Sequence, residues 1–452
     1  MSDAIFREYD IRGVADADFS DAKLLPLAKA IGTYLRRNGQ ARSITVGRDC
    51  RVSSPRIVAT LKKGLASCGL RVVDVGEVPT PVLYFSVAHL KTDAGIMVTG
   101  SHNPPEYNGF KIALGSGTIH GQQIQAVGQI MRSGDFIEGD GFEEKSEILE
   151  AYMKRIVSGI RGPLKLKVVV DSGNGMGGVV APELFRRLGC EVTELFSEPD
   201  GTFPNHHPDP TVPENLVDLI AAMKKHGADI GVGFDGDADR IGAVDPSGRI
   251  LFGDELLALY ARAVLKEHPG ATIISDVKAS HRLFDDIAKH GGRPILWKTG
   301  HSLIKAKMKE ENALLAGEMS GHMFFRDRYY GFDDAIYAAA RLFELLAEEK
   351  NSPAALLSDL PASFSTPELR VDCPDNIKFE VVRAAREEFE KRGWKVNPID
   401  GARVQFEDGW GLVRASNTQP VLVLRFESTS ERRLSEIRSS IEAVVQSKLA
   451  AH

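Results

Sequence analysis

A short apolar, β-branched run ending in a polar turn recurs along the chain, as SITVGRDCR from Ser43, LKVVVDSGNG from Leu166 and ATIISDVKAS from Ala271. A stretch that reads as a helix follows, for example RIVATLKKGLASCG or APELFRRLGC. A second apolar run comes next: RVVDVGEVPTP, EVTELFSEPD and RPILWKTGHS. A third then runs into a polar, Gly-containing loop: AGIMVTGSHNP, ADIGVGFDGDADR and ALLAGEMSGH. Strands alternating with helices predict parallel α/β units. Copies spaced by roughly a hundred residues are too long for a solenoid and have the size of domains.

The pattern stops around Ser352-Pro353 and Pro361. Beyond it, RVQFEDGWGLVRAS predicts a hairpin about Asp408-Gly409 and VLVLRFES a further strand. Ser428 to Glu431 reads as a capping box opening a last helix. An acidic, Gly-containing stretch over 134–150 reads as a linker, and Pro246-Ser247-Gly248 as a turn near the second boundary. The expected architecture is therefore three tandem α/β domains of similar topology over 1–147, 148–249 and 250–361, then a C-terminal α+β domain over 362–452. Ligands gather at the carboxyl ends of parallel strands, so the three closing loops are expected to line one central cleft.

Composition narrows the function. With 452 residues, 43% apolar and 26% charged, the chain has the make-up of a multi-domain globular protein. A net charge of −6 argues against a nucleic-acid surface, although a local cluster of Lys and Arg can still hold a small anion. Cys50, Cys68, Cys190 and Cys373 show no ligand spacing and read as reduced thiols of a cytoplasmic protein. MSDAIFREYDIRG lacks the pattern of a signal peptide, and no apolar run approaches the roughly 20 residues that span a bilayer. A soluble protein with no nucleic-acid or membrane partner is expected.

Four motifs carry chemistry. In TGSHNPPEYNGFK a buried-type strand delivers Ser101 between Gly100 and His102-Asn103-Pro104, where a nucleophile or phosphate carrier would sit; a loop serine capping a helix is the plainer alternative. DGDADR sets Asp235, Asp237 and Asp239 on a tight loop, offering the hard oxygens that Mg²⁺ prefers; a solvated acidic loop is the alternative, against which the apolar GVGF before it puts the loop at a strand end. An EF-hand is excluded, because Arg240 and Pro246 stand where that loop needs Gly and Glu. Arg240 beside the carboxylates could hold an anion. In GEMSGH Glu318 and Ser320 alternate on one side, which suits a pair of sugar hydroxyls, and His322 could move a proton near neutrality; a helix-capping or core role is the alternative. RASNTQP offers Arg414, Ser416, Asn417 and Thr418 as a phosphate cradle, or else a decorated turn. Gly173, Gly175 and Gly178 outline a dinucleotide fingerprint, but the counterpart turns VGRDCR and ISDVKAS carry no glycine triplet, so a strand-to-helix connection is the simpler reading.

Taken together and in this order, one per domain, TGSHNP, DGDADR, GEMSGH and RASNTQP resemble the α-D-phosphohexomutase superfamily, and within it the bacterial phosphomannomutase/phosphoglucomutase branch. The resemblance runs from FREYDIRG to the final domain. It implies that Ser101 carries the transferable phosphate, and that Asp235, Asp237 and Asp239 hold Mg²⁺ together with a phosphoserine oxygen. It further implies that Arg240 lies beside them, that Glu318 and Ser320 read the sugar ring, and that Arg414, Ser416, Asn417 and Thr418 hold the phosphate that is not reacting. Tyr9, Arg12, Lys111, Lys278 and His301 fall on positions that contact substrate in relatives. Lys111 and His322 are both candidates for acid/base work. The implied reaction interconverts a hexose 1-phosphate and 6-phosphate of mannose or glucose through a 1,6-bisphosphosugar, with glucose or mannose 1,6-bisphosphate as activator. A monomer is expected. S-N-T in the fourth motif and Met319 in the third differ from the pattern of glucosamine enzymes. Phosphoglucosamine mutase, a metal-dependent sugar phosphatase and a non-catalytic phosphosugar sensor are the alternatives. One departure is Ala238, where many relatives carry Gly; its small methyl is expected to leave the carboxylates in place.

Overall fold

A computed structural model describes residues 5–417 and 419–451. Its three N-terminal sheets share one plan. The strand that opens each repeat (Ser43–Arg48, Lys167–Asp171, Thr272–Asp276) lies between the second (Arg71–Glu77, Glu191–Leu195, Arg293–Trp297) and the third (Ala94–Val98, Ile230–Phe234, Leu315–Gly317), all parallel. Helices cover both faces of such sheets, which is why these strands read as continuous apolar runs.

Each unit then adds a strand that the parallel reading did not contain. Tyr107–Leu114, Ile241–Val244 and Met323–Phe325 return antiparallel against the third strand of their unit. The motif loops are therefore tight reversals between an outgoing and a returning strand. In the first sheet, Ile11–Val14 pairs beyond Tyr107–Leu114, which brings Tyr9 and Arg12 close to the first motif.

The punctuation between units carries more order than its composition suggests. The acidic stretch 134–150 contains an edge strand, Phe142–Lys145, parallel to Arg71–Glu77. Pro246-Ser247-Gly248 sits inside a hairpin, because Ile250 and Leu251 pair back onto Val244 and Ala243. The second sheet thus extends to Leu251. The long helix Ala335–Glu349 is apolar on most sides because it is wedged between units, with Phe343 packing edge-on against Phe185 at 4.9 Å.

The last unit is a six-stranded antiparallel sheet with the helices Lys378–Lys391 and Glu431–Leu449 on one face. Side-chain alternation along Gly409–Ala415 explains its placement. Val413 and Ala415 face the helices, whereas Trp410 and Leu412 face Val277 of the third unit. The final helix is capped by Ser430, whose side chain accepts from the Arg433 amide, and not by Ser428. Ser428 is still paired in the strand Val421–Ser428, so its geometry is that of a sheet residue. Among the described residues, no helix is long and apolar enough to cross a membrane.

Candidate active site

The three reversal loops meet. The metal-type loop touches the first unit through the Thr80 amide, which donates to the Asp237 carbonyl at 2.9 Å. Arg240 and His322 form a β-bridge that joins the second loop to the third. Gly236 lies against the Ser101 carbonyl so closely that a Cβ there would come within 2.4 Å of that oxygen, so only glycine fits. Gly175 faces Gly236 in the same way, with a Cβ 2.8 Å from its oxygen, and the Met176 amide bonds that oxygen at 2.9 Å. Of the glycines of the apparent nucleotide fingerprint, Gly175 therefore serves close backbone packing against the aspartate loop, while Gly178 packs against the Ser197 backbone.

Ser101 Oγ donates to Asp235 Oδ2 at 2.8 Å and lies 3.1 Å from His102 Nδ1. Its backbone is left-handed, with φ 51°, a conformation that costs about 1–2 kcal/mol away from glycine. Asp235, Asp237 and Asp239 are fully buried, with a ligand atom of each inside a 4.8 Å span. Oδ1 of Asp237 and Oδ1 of Asp239 have no hydrogen-bond partner. Orphaned buried carboxylate oxygens beside a hydroxyl suit a small hard dication, so this donor set fits magnesium. Burial, with Asp237 and Asp239 alongside, pushes Asp235 well above the usual carboxylate range, a penalty that a bound dication would relieve. Ala238, between two of the aspartates, has φ 60°. The position calls for glycine because of its left-handed backbone and not because of space, so alanine is strained there while the carboxylates stay in place.

Lys111 comes from the returning strand of the first unit, opposite Met97. Its ammonium bonds Asp237 Oδ2 at 2.6 Å and also Asp239 Oδ2. Burial would lower this lysine, but Asp237, Asp239 and Asp235 outweigh it and hold the ammonium above its ordinary range. Burial would raise Asp237, and the charge and hydrogen bond of Lys111 reverse that, keeping it ionised. Thr80 Oγ1 also donates to Asp237.

Arg240 Nε donates to His322 Nε2 at 3.0 Å. Nε2 is then the unprotonated nitrogen, and the proton sits on Nδ1, which lies 3.4 Å from Asp333 Oδ2. Burial and the neighbouring Arg240 push His102 well below its usual value and keep it neutral. His301, 3.6 Å from Asp333 Oδ2, is likewise pushed down by burial and Lys305. Glu318 accepts the Gly300 amide at 2.6 Å, and burial raises its carboxyl. Ser320 is partly exposed on the same turn. Lys278 pairs with Glu368 of the last unit at 3.1 Å, and that charge holds Glu368 down at about 2. Arg12 pairs with Asp10.

The last unit reaches in with Arg414, whose Nε donates to Asp400 at 3.0 Å. Ser416 Oγ accepts the Gln419 amide at 3.1 Å, which closes the turn. Asn417 donates to the Tyr9 hydroxyl, which in turn donates to the Thr299 carbonyl at 2.6 Å. Tyr9 thus ties three units together, and burial pushes its phenol up. Thr418 lies outside the described residues.

The site also contains residues that no motif flagged. Thr80 follows the second strand in EVPTP, and Asp333, fully buried, receives Lys305 at 2.8 Å. Arg51 and Asp49 sit in the polar turn GRDCR, which was visible in the repeat but pointed to nothing by itself.

The buried aspartates thus lie against the left-handed Ser101, with Lys111 bonded to two of them and Arg240 next in the chain. Models of the phosphoglucomutase/phosphomannomutase family match the chain in succession: alpha/beta/alpha domain I over residues 3–138, domain II over 150–248, domain III over 252–364 and the C-terminal domain over 368–444. A phosphomannomutase/phosphoglucomutase of Pseudomonas putida is 51% identical over 438 residues, covering 97% of this chain and 94% of that protein. A phosphoglucomutase of Neisseria gonorrhoeae is 46% identical, covering 98% of this chain and 97% of its own. Among solved structures, a phosphoglucomutase/phosphomannomutase family protein from Burkholderia thailandensis superposes with a TM-score of 0.93 at 46% identity, covering 99% of this chain and 98% of that one. The chain belongs to the phosphoglucomutase/phosphomannomutase family, the bacterial branch of the α-D-phosphohexomutase superfamily. It is a phosphohexomutase.

Proposed function

We propose that the enzyme exchanges phosphate between the 1- and 6-positions of glucose or mannose, with Ser101 as the carrier. The observation that supports this most is the 2.8 Å bond from Ser101 Oγ to Asp235 within the buried aspartate trio. A phosphorylated Ser101 donates its phosphoryl group to the free hydroxyl of a bound hexose monophosphate. The resulting 1,6-bisphosphate turns end for end and returns its other phosphate to Ser101. A glucose or mannose 1,6-bisphosphate would load the serine at the outset.

Asp235, Asp237 and Asp239, with an oxygen of the serine phosphate, would hold Mg²⁺. When bound, that ion neutralises charge on the transferring group. Arg240 adds a fixed positive charge beside the serine, where two phosphates would otherwise repel. Of the two acid/base candidates we assign Lys111. It gives a proton to Ser101 Oγ as the phosphoryl group leaves and takes up the one released by the sugar hydroxyl, so the net proton moves from sugar to serine. His322 has Nε2 taken by Arg240, with Nδ1 turned towards Asp333 at 3.4 Å, and serves to orient Arg240. Glu318 and Ser320 read the ring hydroxyls, and Arg414, Ser416, Asn417 and Thr418 take the distal phosphate. Tyr9, Arg12, Lys278 and His301 complete the contacts with substrate. The four unpaired cysteines favour a reducing compartment such as the cytoplasm.

Coupled assays with glucose, mannose and glucosamine 1-phosphates, run side by side, test the reaction and its substrate. Release of inorganic phosphate without hexose 6-phosphate would refute transfer. Arg414→Ala is expected to raise KM for the sugar phosphate by about 10- to 100-fold, the worth of a charged hydrogen bond, with a smaller change in kcat. An unchanged KM would remove Arg414 from the cradle.

A further inference from the structure

Arg51 is fully buried in the turn after the strand Ser43–Arg48, and its guanidinium is spent on one loop. Nη2 donates to the carbonyl oxygens of Ser101 at 2.7 Å and Asn103 at 2.6 Å. Nη1 donates to the carbonyl of Tyr107 at 3.1 Å and to that of Pro104. Nε faces Asp49 Oδ2 at 3.2 Å, and the same oxygen accepts the Gly100 amide at 3.1 Å. Asp49 Oδ1 is held in turn by Ser54 Oγ at 2.5 Å and the Arg51 amide at 3.1 Å. The second unit seats on this group: Phe203 stacks 5.2 Å from the guanidinium carbon, and a Cβ on Gly201 would come within 2.5 Å of the Arg51 Cα.

The Ser101 carbonyl is thus bonded by Arg51 on one side and covered by Gly236 on the other. A peptide so held cannot rotate to relieve the left-handed φ of Ser101, and rotation would swing Oγ away from Asp235. We propose that Arg51 is a positioning residue for phosphoryl transfer: by clamping four carbonyl oxygens of the loop 101–107 it keeps Ser101 Oγ against the aspartate trio. The proposal rests on Ser101 being the phosphate carrier. A rigidly placed nucleophile matters because displacement by about an ångström can cost on the order of 10² in rate. Lysine cannot replace the clamp, since a point-charged ammonium does not span a planar fork of donors.

The test uses the full chain with Arg51→Lys, glucose 1-phosphate as substrate and glucose 1,6-bisphosphate to load the serine. Intact-mass analysis of the wild-type chain after loading should show one added phosphate, lost in Ser101→Ala. The variant is expected to retain KM within about threefold while kcat falls about a hundredfold. Single-turnover transfer from the loaded serine should slow by the same factor, in a protein with a cooperative melt. A wild-type chain that never gains phosphate overturns the serine assignment, and this proposal with it. A loaded wild type alongside a variant whose kcat is unchanged, or whose loss lies in KM, overturns the clamp alone. Should Arg51→Lys fail to fold, Asp49→Asn is the second variant. It removes the charge that orients the guanidinium through Nε, so the carbonyl bonds loosen and kcat should fall about tenfold at constant KM, and an unchanged kcat overturns the proposal.

Discussion

Ser101→Ala is expected to lower conversion of hexose 1-phosphate to 6-phosphate by at least about a hundredfold while leaving the fold intact. The size follows from removing the atom that makes and breaks the transferring bond, a loss that other groups of the site cannot replace. The fold should survive because the substitution deletes one hydroxyl. The Ser101 amide keeps its bond to Thr99 Oγ1 at 2.8 Å, and its carbonyl keeps Arg51. Asp235 loses one donor but keeps the amides of Asp239 and Arg240 on its other oxygen, at 3.0 and 3.1 Å. A coupled assay and a thermal melt check both halves. Activity within tenfold of wild type would end the proposal that Ser101 carries the phosphate.

Asp237→Asn should produce the other large effect, on metal binding first and on rate as a result. Asp237 Oδ2 is taken by Thr80 and Lys111, whereas Oδ1 is orphaned among carboxylates. An asparagine oxygen can replace Oδ2 towards both donors. Its NH₂ then points where the orphan oxygen stood, presenting positive hydrogens to a cation. Magnesium affinity measured by calorimetry is expected to fall about 10- to 100-fold or more, and any rise in melting temperature with added magnesium should shrink accordingly. Turnover should fall on the order of 10²-fold, because charge on the transferring group is less well neutralised. Lys111 keeps Asp239 as a partner, so its buried ammonium is not stranded. Equal magnesium affinity in the two proteins would remove Asp237 from the metal site.

Both candidate loops are legible in the sequence because each is local. A strand of apolar residues that ends in Gly100-Ser101, or in alternating aspartates, announces a loop at a strand end together with its chemistry. The contacts that make those loops work lie far apart in sequence. Thr80 meets Asp237, Arg51 meets the loop of Ser101, and His322 meets Arg240 and Asp333, and no local spacing reports such meetings. Two of the returning strands, IGAV and MFF, are too short to stand apart from the loops before them, and the first begins in YNGFK, which reads as part of the serine motif. The sequence context of Ser428 fits a cap, yet pairing along Val421–Ser428 claims its backbone first. At Ala238 the backbone dihedral, which residue type alone does not report, is what makes the position unusual, and not the size of the side chain.

The amino-acid sequence alone determined the repeated strands, the change of class in the last unit, and the acidic, nucleophilic and cationic groups at four loop positions. Hydrophobic period and turn chemistry act over a few residues, so they can be read from order alone. Tertiary structure decided which of those groups touch, which protonation states they keep, and which silent residues hold them in place. Those outcomes depend on distance and burial, and chains separated by a hundred residues acquire both only when they pack.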